Sequence, residues 1–166
     1  ERYLRLARRS VDEAEEVDLG VLVEEVFGLL RADAAEVHVR CIARMEGVPG
    51  RVHLNRSALR HILVNLITNA IQVQPEGGQV VVSASLVDNK LCLQVADEGP
   101  GLNEQQAAEV FEPFTSWRRG GTGLGLSISR RFARQLGGSL TYEPGPQGGA
   151  VFALVTDVQS SREDSA

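Results

Sequence analysis

The sequence predicts a single α/β domain, and three features predict it. Amphipathic helical patterns at residues 18–30, 55–73 and 122–136 are interleaved with short stretches of alternating apolar and polar residues. Two of those stretches, 79–87 and 90–96, meet at Asp88-Asn89, a strong hairpin signal. The 166 residues, 43% apolar and 23% charged, suffice for one domain with a proper core.

A net charge of −5 gives no general attraction to nucleic acid or to an anionic membrane, so a phosphate ligand would need local positive charge. Cys41 and Cys92 stand alone in apolar alternating stretches and read as buried, reduced thiols of a cytoplasmic protein rather than a disulfide. No apolar run approaches the roughly 20 residues that span a bilayer, and no signal peptide is present. The chain opens in a helical pattern without an initiator Met. It reads as a piece of a longer protein, with any membrane segment upstream.

The elements follow in order. Leu4, Ala7, Val11 and Ala14 form a narrow helical seam over residues 1–16. So short a helix is marginal alone, so the seam needs a partner helix or the domain itself. Asp18 is the N-cap of a helix to about residue 30, with Leu19, Leu22, Val23, Val26, Leu29 and Leu30 on its apolar face. Residues 36–43 read as a strand, Gly47 to Gly50 as a turn, and 51–54 as a short strand.

Asn55 or Ser57 caps the central helix, whose apolar face is Leu59, Ile62, Leu63, Leu66, Ile67, Ala70 and Ile71. Asn65, Asn69 and Gln72 fall on a stripe beside that face. Asparagine is a poor helix former. Two of them one turn apart offer neutral oxygens suited to a hard cation that keeps waters and phosphate oxygens. They also read as two surface asparagines. Pro75 to Gly78 ends the helix. In the second strand of the hairpin, Leu91, Leu93 and Val95 share a face to which Asp97 also points. A carboxylate there is costly without a partner. It reads either as a base-recognising acid at a pocket mouth or as an Asx-turn carboxylate bonding its own loop.

Asn103 with Gln106 resembles a capping box for a helix to 110. A loop from Phe111 to Gly121 carries Arg118 and Arg119, either the required positive charge or a solvated surface. Gly120, Gly121, Gly123 and Gly125 then open an apolar helix from about Thr122, with Leu126, Ile128, Phe132, Ala133 and Leu136, that ends at Gly137-Gly138. Glycines at a helix start gather N–H groups and the positive end of the dipole, which suits phosphate. A flexible linker is the other reading. The spacing matches neither G-x-G-x-x-G nor a P-loop. Residues 139–143 and 150–157 read as strands, and 159–166 as a disordered polar tail.

Four segments, taken in order, resemble the boxes of the ATP-binding domain of sensor histidine kinases. Asn65-Leu-Ile-Thr-Asn69-Ala-Ile-Gln72 is similar to the N box and Asp97-Glu-Gly-Pro-Gly101 to the first glycine box. Phe111-Glu-Pro-Phe114 is similar to the F box and Gly121-Thr-Gly-Leu-Gly-Leu126 to the second glycine box. The resemblance covers about residues 18–157. Gln72 followed by Pro75-Glu-Gly-Gly78 looks most like the nitrogen-regulation type. The superfamily also holds gyrase, heat-shock chaperone, mismatch-repair and anti-sigma-factor ATPases.

The resemblance implies a two-layer α/β sandwich of the Bergerat type with a mixed, largely antiparallel sheet on three helices, residues 17–158 as the catalytic domain, and ATP and Mg²⁺ as cofactors. It implies that Asn69 ligates Mg²⁺, that Asn65 lies beside the phosphates, and that Asp97 accepts from the adenine amino group. Gly99 and Gly101 let the loop pass the base. Gly121, Gly123 and Gly125 present N–H groups to the phosphates, Leu124 touches the nucleotide, and Arg118 reaches the phosphates. Gln72, Leu102, Phe114, Thr122 and Leu126 complete the implied binding set, with Asn65 and Arg118 as catalytic residues and 102–121 as a mobile lid. Gln72 stands where many relatives have Lys, Glu98 replaces a commoner neutral residue, and Trp117 is unusual in a lid.

The implied reaction is transfer of the γ-phosphoryl of Mg-ATP to a His on a dimerisation domain. His38 and His53, on predicted strands, and His61, in the N-box helix, do not resemble that acceptor. Residues 1–16 look like the tail of the second helix of the dimerisation domain. The implied partners are that domain, in a homodimer, and a cognate response regulator. An anti-sigma-factor-type serine kinase and a non-catalytic nucleotide sensor are the alternatives. The seam argues against the first.

Overall fold

A computed structural model describes residues 13–48, 50–117 and 120–160, with the backbone alone at 159 and 160. Along the chain lie β1 (Glu15–Val17), α1 (Leu19–Leu29), α2 (Arg31–Glu36), β2 (Val39–Gly47), β3 (Val52–Leu54) and α3 (Arg56–Gln72). There follow β4 (Gly78–Val87), β5 (Lys90–Asp97), α4 (Glu104–Glu109), α5 (Gly125–Gln135), β6 (Ser139–Pro144), β7 (Ala150–Asp157) and β8 (Gln159–Ser160).

The main sheet has the order β2-β4-β5-β7-β6, with β2 and β4 parallel and the remaining pairs antiparallel. It is the mixed, largely antiparallel sheet expected. At the β4–β5 turn Val87 pairs with Lys90, and Asp88 and Asn89 have φ of 50° and 62°. That is the left-handed pair a two-residue hairpin needs. Helices cover one face: α1 and α2 lie over β2, α3 over β4 and β5, and α5 over β6 and β7. Val80, Val82, Leu91, Leu93 and Val95 from the sheet meet Leu59, Ile62, Leu63, Leu66 and Ile67 of α3 in one buried cluster. Asn55 is the N-cap of α3, its Oδ1 accepting from the Ala58 N–H at 2.8 Å, and Asp18 caps α1 in the same way.

Several expectations are corrected. Glu15 and Glu16 belong to a strand, not to a helix; β1 pairs with β3, and β3 with β8, in a second, three-stranded sheet. Gln159 and Ser160 are therefore strand rather than tail. The seam residues Leu4, Ala7 and Val11, like residues 161–166, lie outside the described residues. Leu29 is 56% exposed, because α1 stops there and α2 begins at Arg31, leaving Leu30 to enter the core. The strand expected from residue 36 begins at Val39; His38, at φ 58°, forms the turn that ends α2. Helix α5 starts at Gly125 rather than Thr122, after Gly123 turns at φ 69°.

Cys41 and Cys92 are free but half-buried rather than buried. Burial pushes the Cys41 thiol pKa up, helped by Glu24, and does the same at Cys92, helped by Glu143. The stability tied to the neutral thiols is present below the unfolded thiol pKa and is lost as pH rises through the folded values. Iodoacetamide labelling followed by mass spectrometry should therefore show both thiols reacting with a midpoint above that of the urea-unfolded chain. In urea unfolding, Leu63→Ala should cost about 2–5 kcal/mol, because Leu63 is fully buried. Val21→Ala, on the exposed face of α1, should stay within about 0.5 kcal/mol.

Candidate nucleotide site

A cavity of about 650 Å³ opens between the C-terminal half of α3, the end of β5 and the start of α5, a size suited to a small-molecule ligand. Of the residues expected at the site, Asn65, Asn69, Gln72, Asp97, Gly101, Leu102, Gly121, Thr122, Gly123, Gly125 and Leu126 line it. The stripe read along α3 thus faces a cavity rather than open surface.

One end of the cavity is set by Asp97. Alternation along β5 carries it inward, and it is 9% exposed. Its Oδ1 accepts from the Gly99 N–H at 2.9 Å and from the Ala150 N–H of β7 at 3.2 Å. The Asx-turn reading is realised, and the same carboxylate stands in the cavity wall. Gly99 is not in the wall. A Cβ there would lie 2.7 Å from Val73 Cγ2 and 3.0 Å from Asp97 Oδ1, so this glycine makes room for the carboxylate itself.

The other end is set by α3 against α5. Asn65 Nδ2 donates to the buried Ser129 Oγ at 2.6 Å, and a Cβ at Gly125 would fall 2.3 Å from Asn65 Oδ1. Only glycine lets the start of α5 come this close. His61 packs edge-on against Phe132, 4.9 Å between centroids, and fastens the same two helices. No side chain caps α5, so its first N–H groups meet the cavity with the positive end of the helix dipole. Leu124, expected to touch nucleotide, is the N-cap residue and does not line the cavity.

The outer wall is the segment after Gly101. The Leu102 N–H donates to Tyr142 Oη at 3.2 Å, and Asn103 with Gln106 forms the expected capping box on α4. Phe111 rests edge-on against Phe152, with the Arg130 guanidinium 5.2 Å above its ring centroid. Phe114 is not in the wall. Its backbone, at φ 65°, takes an N–H bond to the Gly123 carbonyl at 2.9 Å, which leaves the ring 79% exposed. Thr115, Ser116 and Trp117 line the cavity, whereas Arg118 and Arg119 lie outside the described residues.

Gln106 and Val110 lie in the segment expected as the lid, and sequence reasoning missed Val73, Ala150 and Phe152 as wall residues. The last two come from β7, where their signal was that of core alternation alone. Asp97 is the one ionisable side chain among the described lining residues. The arrangement can accept hydrogen bonds from an amine at one end and donate backbone N–H groups to an anion at the other. That defines a nucleotide-binding α/β sandwich.

Comparison with known proteins agrees. A profile described as "Histidine kinase-, DNA gyrase B-, and HSP90-like ATPase" matches residues 54–160, and the chain belongs to that family. The C4-dicarboxylate transport sensor protein DctS of Rhodobacter capsulatus is 33% identical over 147 residues, which are 86% of this chain and 22% of that protein. Sensor histidine kinase ZraS of Klebsiella oxytoca is 28% identical over 97% of this chain and 35% of its own length. The chain thus spans about a fifth to a third of these relatives. The nucleotide-free catalytic domain of histidine kinase ThkA superposes with a TM-score of 0.79 at 27% identity, over 87% of this chain and 95% of that one. Full-length ShkA in complex with AMPPNP superposes with a TM-score of 0.80 at 29% identity, over 89% and 32%. The chain is an ATP-binding catalytic domain of the histidine-kinase type. No helix among the described residues is long and apolar enough to cross a membrane.

The contact at Gly125 is open to a direct check. Gly125→Ala should force α5 away from Asn65 and lower ADP affinity by about tenfold in calorimetric titration. Gly28→Ala, with open space around the added methyl, should leave it unchanged. Equal affinities for the two variants would contradict the close approach.

Proposed function

We propose that this domain transfers the γ-phosphoryl group of ATP to a histidine of a dimerisation domain in the same protein, with residues 17–158 forming the catalytic unit. The observation that carries the reading is the pairing of a buried acceptor, Asp97, with an uncapped helix N-terminus across one cavity. Asp97 accepts from the adenine 6-amino group, and Gly101 and Leu102 flank the base. The N–H groups of Gly121, Gly123 and Gly125 take the phosphate oxygens, with Thr122 and Leu126 beside them and Asn65 fixed by Ser129 at their side. Arg118 supplies positive charge from the loop, and residues 102–121 close over the nucleotide.

The neutral amide oxygens of Asn69 and its neighbours fit a hard cation that retains water and phosphate ligands, so Asn69 would hold Mg²⁺. When bound, Mg²⁺ neutralises phosphate charge. The chain's own part is positioning and exclusion of water, which carry most of phosphoryl-transfer catalysis. His38, in a turn, His53, paired with Glu16 at 3.3 Å, and His61, packed on Phe132, are each engaged by the fold. The acceptor is assigned to a domain outside this sequence.

One solved neighbour is ThkA in complex with the response regulator protein TrrA, with a TM-score of 0.75 at 26% identity. By that likeness a response regulator is the downstream partner here. Matches to sensor kinases favour this reading over a serine kinase of the anti-sigma-factor type or a non-catalytic sensor. Incubated alone with labelled ATP, the chain should form no acid-labile phosphohistidine. Given the dimerisation domain of its parent protein, it should label that domain on one His, and Asn69→Ala should abolish the label. An acid-stable product, or labelling of the isolated chain, would contradict the assignment.

A further inference from the structure

Gln74 is 3% exposed and does not line the cavity. It lies just beyond α3, and both ends of its amide are used. Nε2 donates to the Ala70 carbonyl, in the last turn of α3, at 2.9 Å. Oε1 accepts from the Glu98 N–H at 3.3 Å, so the peptide that leaves Asp97 is tied to the end of α3. The Glu98 side chain turns back, and its Oε2 accepts from the Gln79 N–H of β4 at 3.0 Å. Gly78 leaves the space this needs: a Cβ there would sit 2.1 Å from Gln74 Oε1 and 3.3 Å from Glu98 Oε2.

Asp97 is therefore held from two directions. Its carboxylate is bonded to Gly99 and Ala150 on the cavity side, and the following peptide is bonded to Gln74 behind it. The same α3 end carries Asn69 and Gln72 in the cavity wall.

We propose that Gln74 and Glu98 are positioning residues that form a bracket setting the Asp97 carboxylate for the purine 6-amino group, so that base selectivity depends on two side chains outside the cavity. This rests on the reading of Asp97 as the base acceptor. Losing the bracket lets the Asp97–Glu98 peptide shift relative to α3, which weakens the one contact that distinguishes a 6-amino from a 6-oxo purine. Phosphate contacts at α5 are untouched.

The test compares ADP with IDP, which carries a 6-oxo group, by calorimetric titration of the 166-residue chain and its variants. Wild type should prefer ADP. Gln74→Leu keeps the shape but loses both bonds, and Glu98→Ala loses the tie to β4. Each should weaken ADP by about three- to tenfold and change IDP by less than about twofold. Glu98→Gln, which retains an acceptor oxygen for the Gln79 N–H, should restore the wild-type ratio. A wild type that binds ADP and IDP equally would overturn the Asp97 reading and the bracket with it. A wild type that discriminates, with an unchanged ADP-to-IDP ratio in both Gln74→Leu and Glu98→Ala, would overturn the bracket alone. Equal weakening of both nucleotides, with a lowered thermal midpoint, would reduce the two residues to a structural role. Because Glu98 is exposed, its variants test the proposal even where Gln74→Leu fails to fold.

Discussion

A carboxylate at the end of an apolar strand face has to find donors, and the site is arranged around that requirement at Asp97. The face bearing Leu91, Leu93 and Val95 is sealed by α3, so Asp97 leaves water with it. An unmet carboxylate in that position costs several kcal/mol. Here two backbone N–H groups reach one oxygen, one from the glycine turn and one from β7. Those bonds fix the turn that starts the outer wall and bind it to a strand of the central sheet. A ligand amine at this end would meet a carboxylate already desolvated and oriented by folding, a form of preorganisation.

The end of the cavity at the start of α5 follows another rule. The described lining residues include no Lys or Arg, so what they themselves offer an anion is backbone dipoles. Dipoles act only at short range, which makes the close approach of α5 to α3 decisive. Asn65 stands at that contact, held to Ser129 across 64 positions of sequence and allowed to approach by Gly125. The two ends of the cavity are joined by α3 itself, a rigid helix with eight buried residues behind its cavity-facing stripe.

Where local chemistry dominates, the fold was legible. The caps at Asp18 and Asn103, the Asp88-Asn89 hairpin and the face of α3 all act within a few residues and were recovered, and the α3 cap was narrowed to Asn55 or Ser57. Helix α2 was missed because its six residues bury only Ala34, too little to show a period. The three-stranded sheet was missed because its strands are two or three residues long and pair with partners distant in sequence. At the site, side chains on a helix stripe or at glycine turns could be found from spacing. Ala150, whose N–H completes the Asp97 site, carries its function on the backbone and leaves no trace in its side chain. Phe114 and Leu124 stand outside the cavity wall for a related reason: motif membership does not say which way a residue in a positive-φ turn or at a helix cap will face.

The central claim is that one nucleotide bridges the glycine turn after β5 and the start of α5. Amide hydrogen exchange with and without saturating Mg-ADP tests it most directly. The account predicts slowed exchange at residues 99–102 and 121–127 together, with the β2–β4 pairing unchanged. Protection confined to one of these segments, or located instead around β3 and β8, would contradict it.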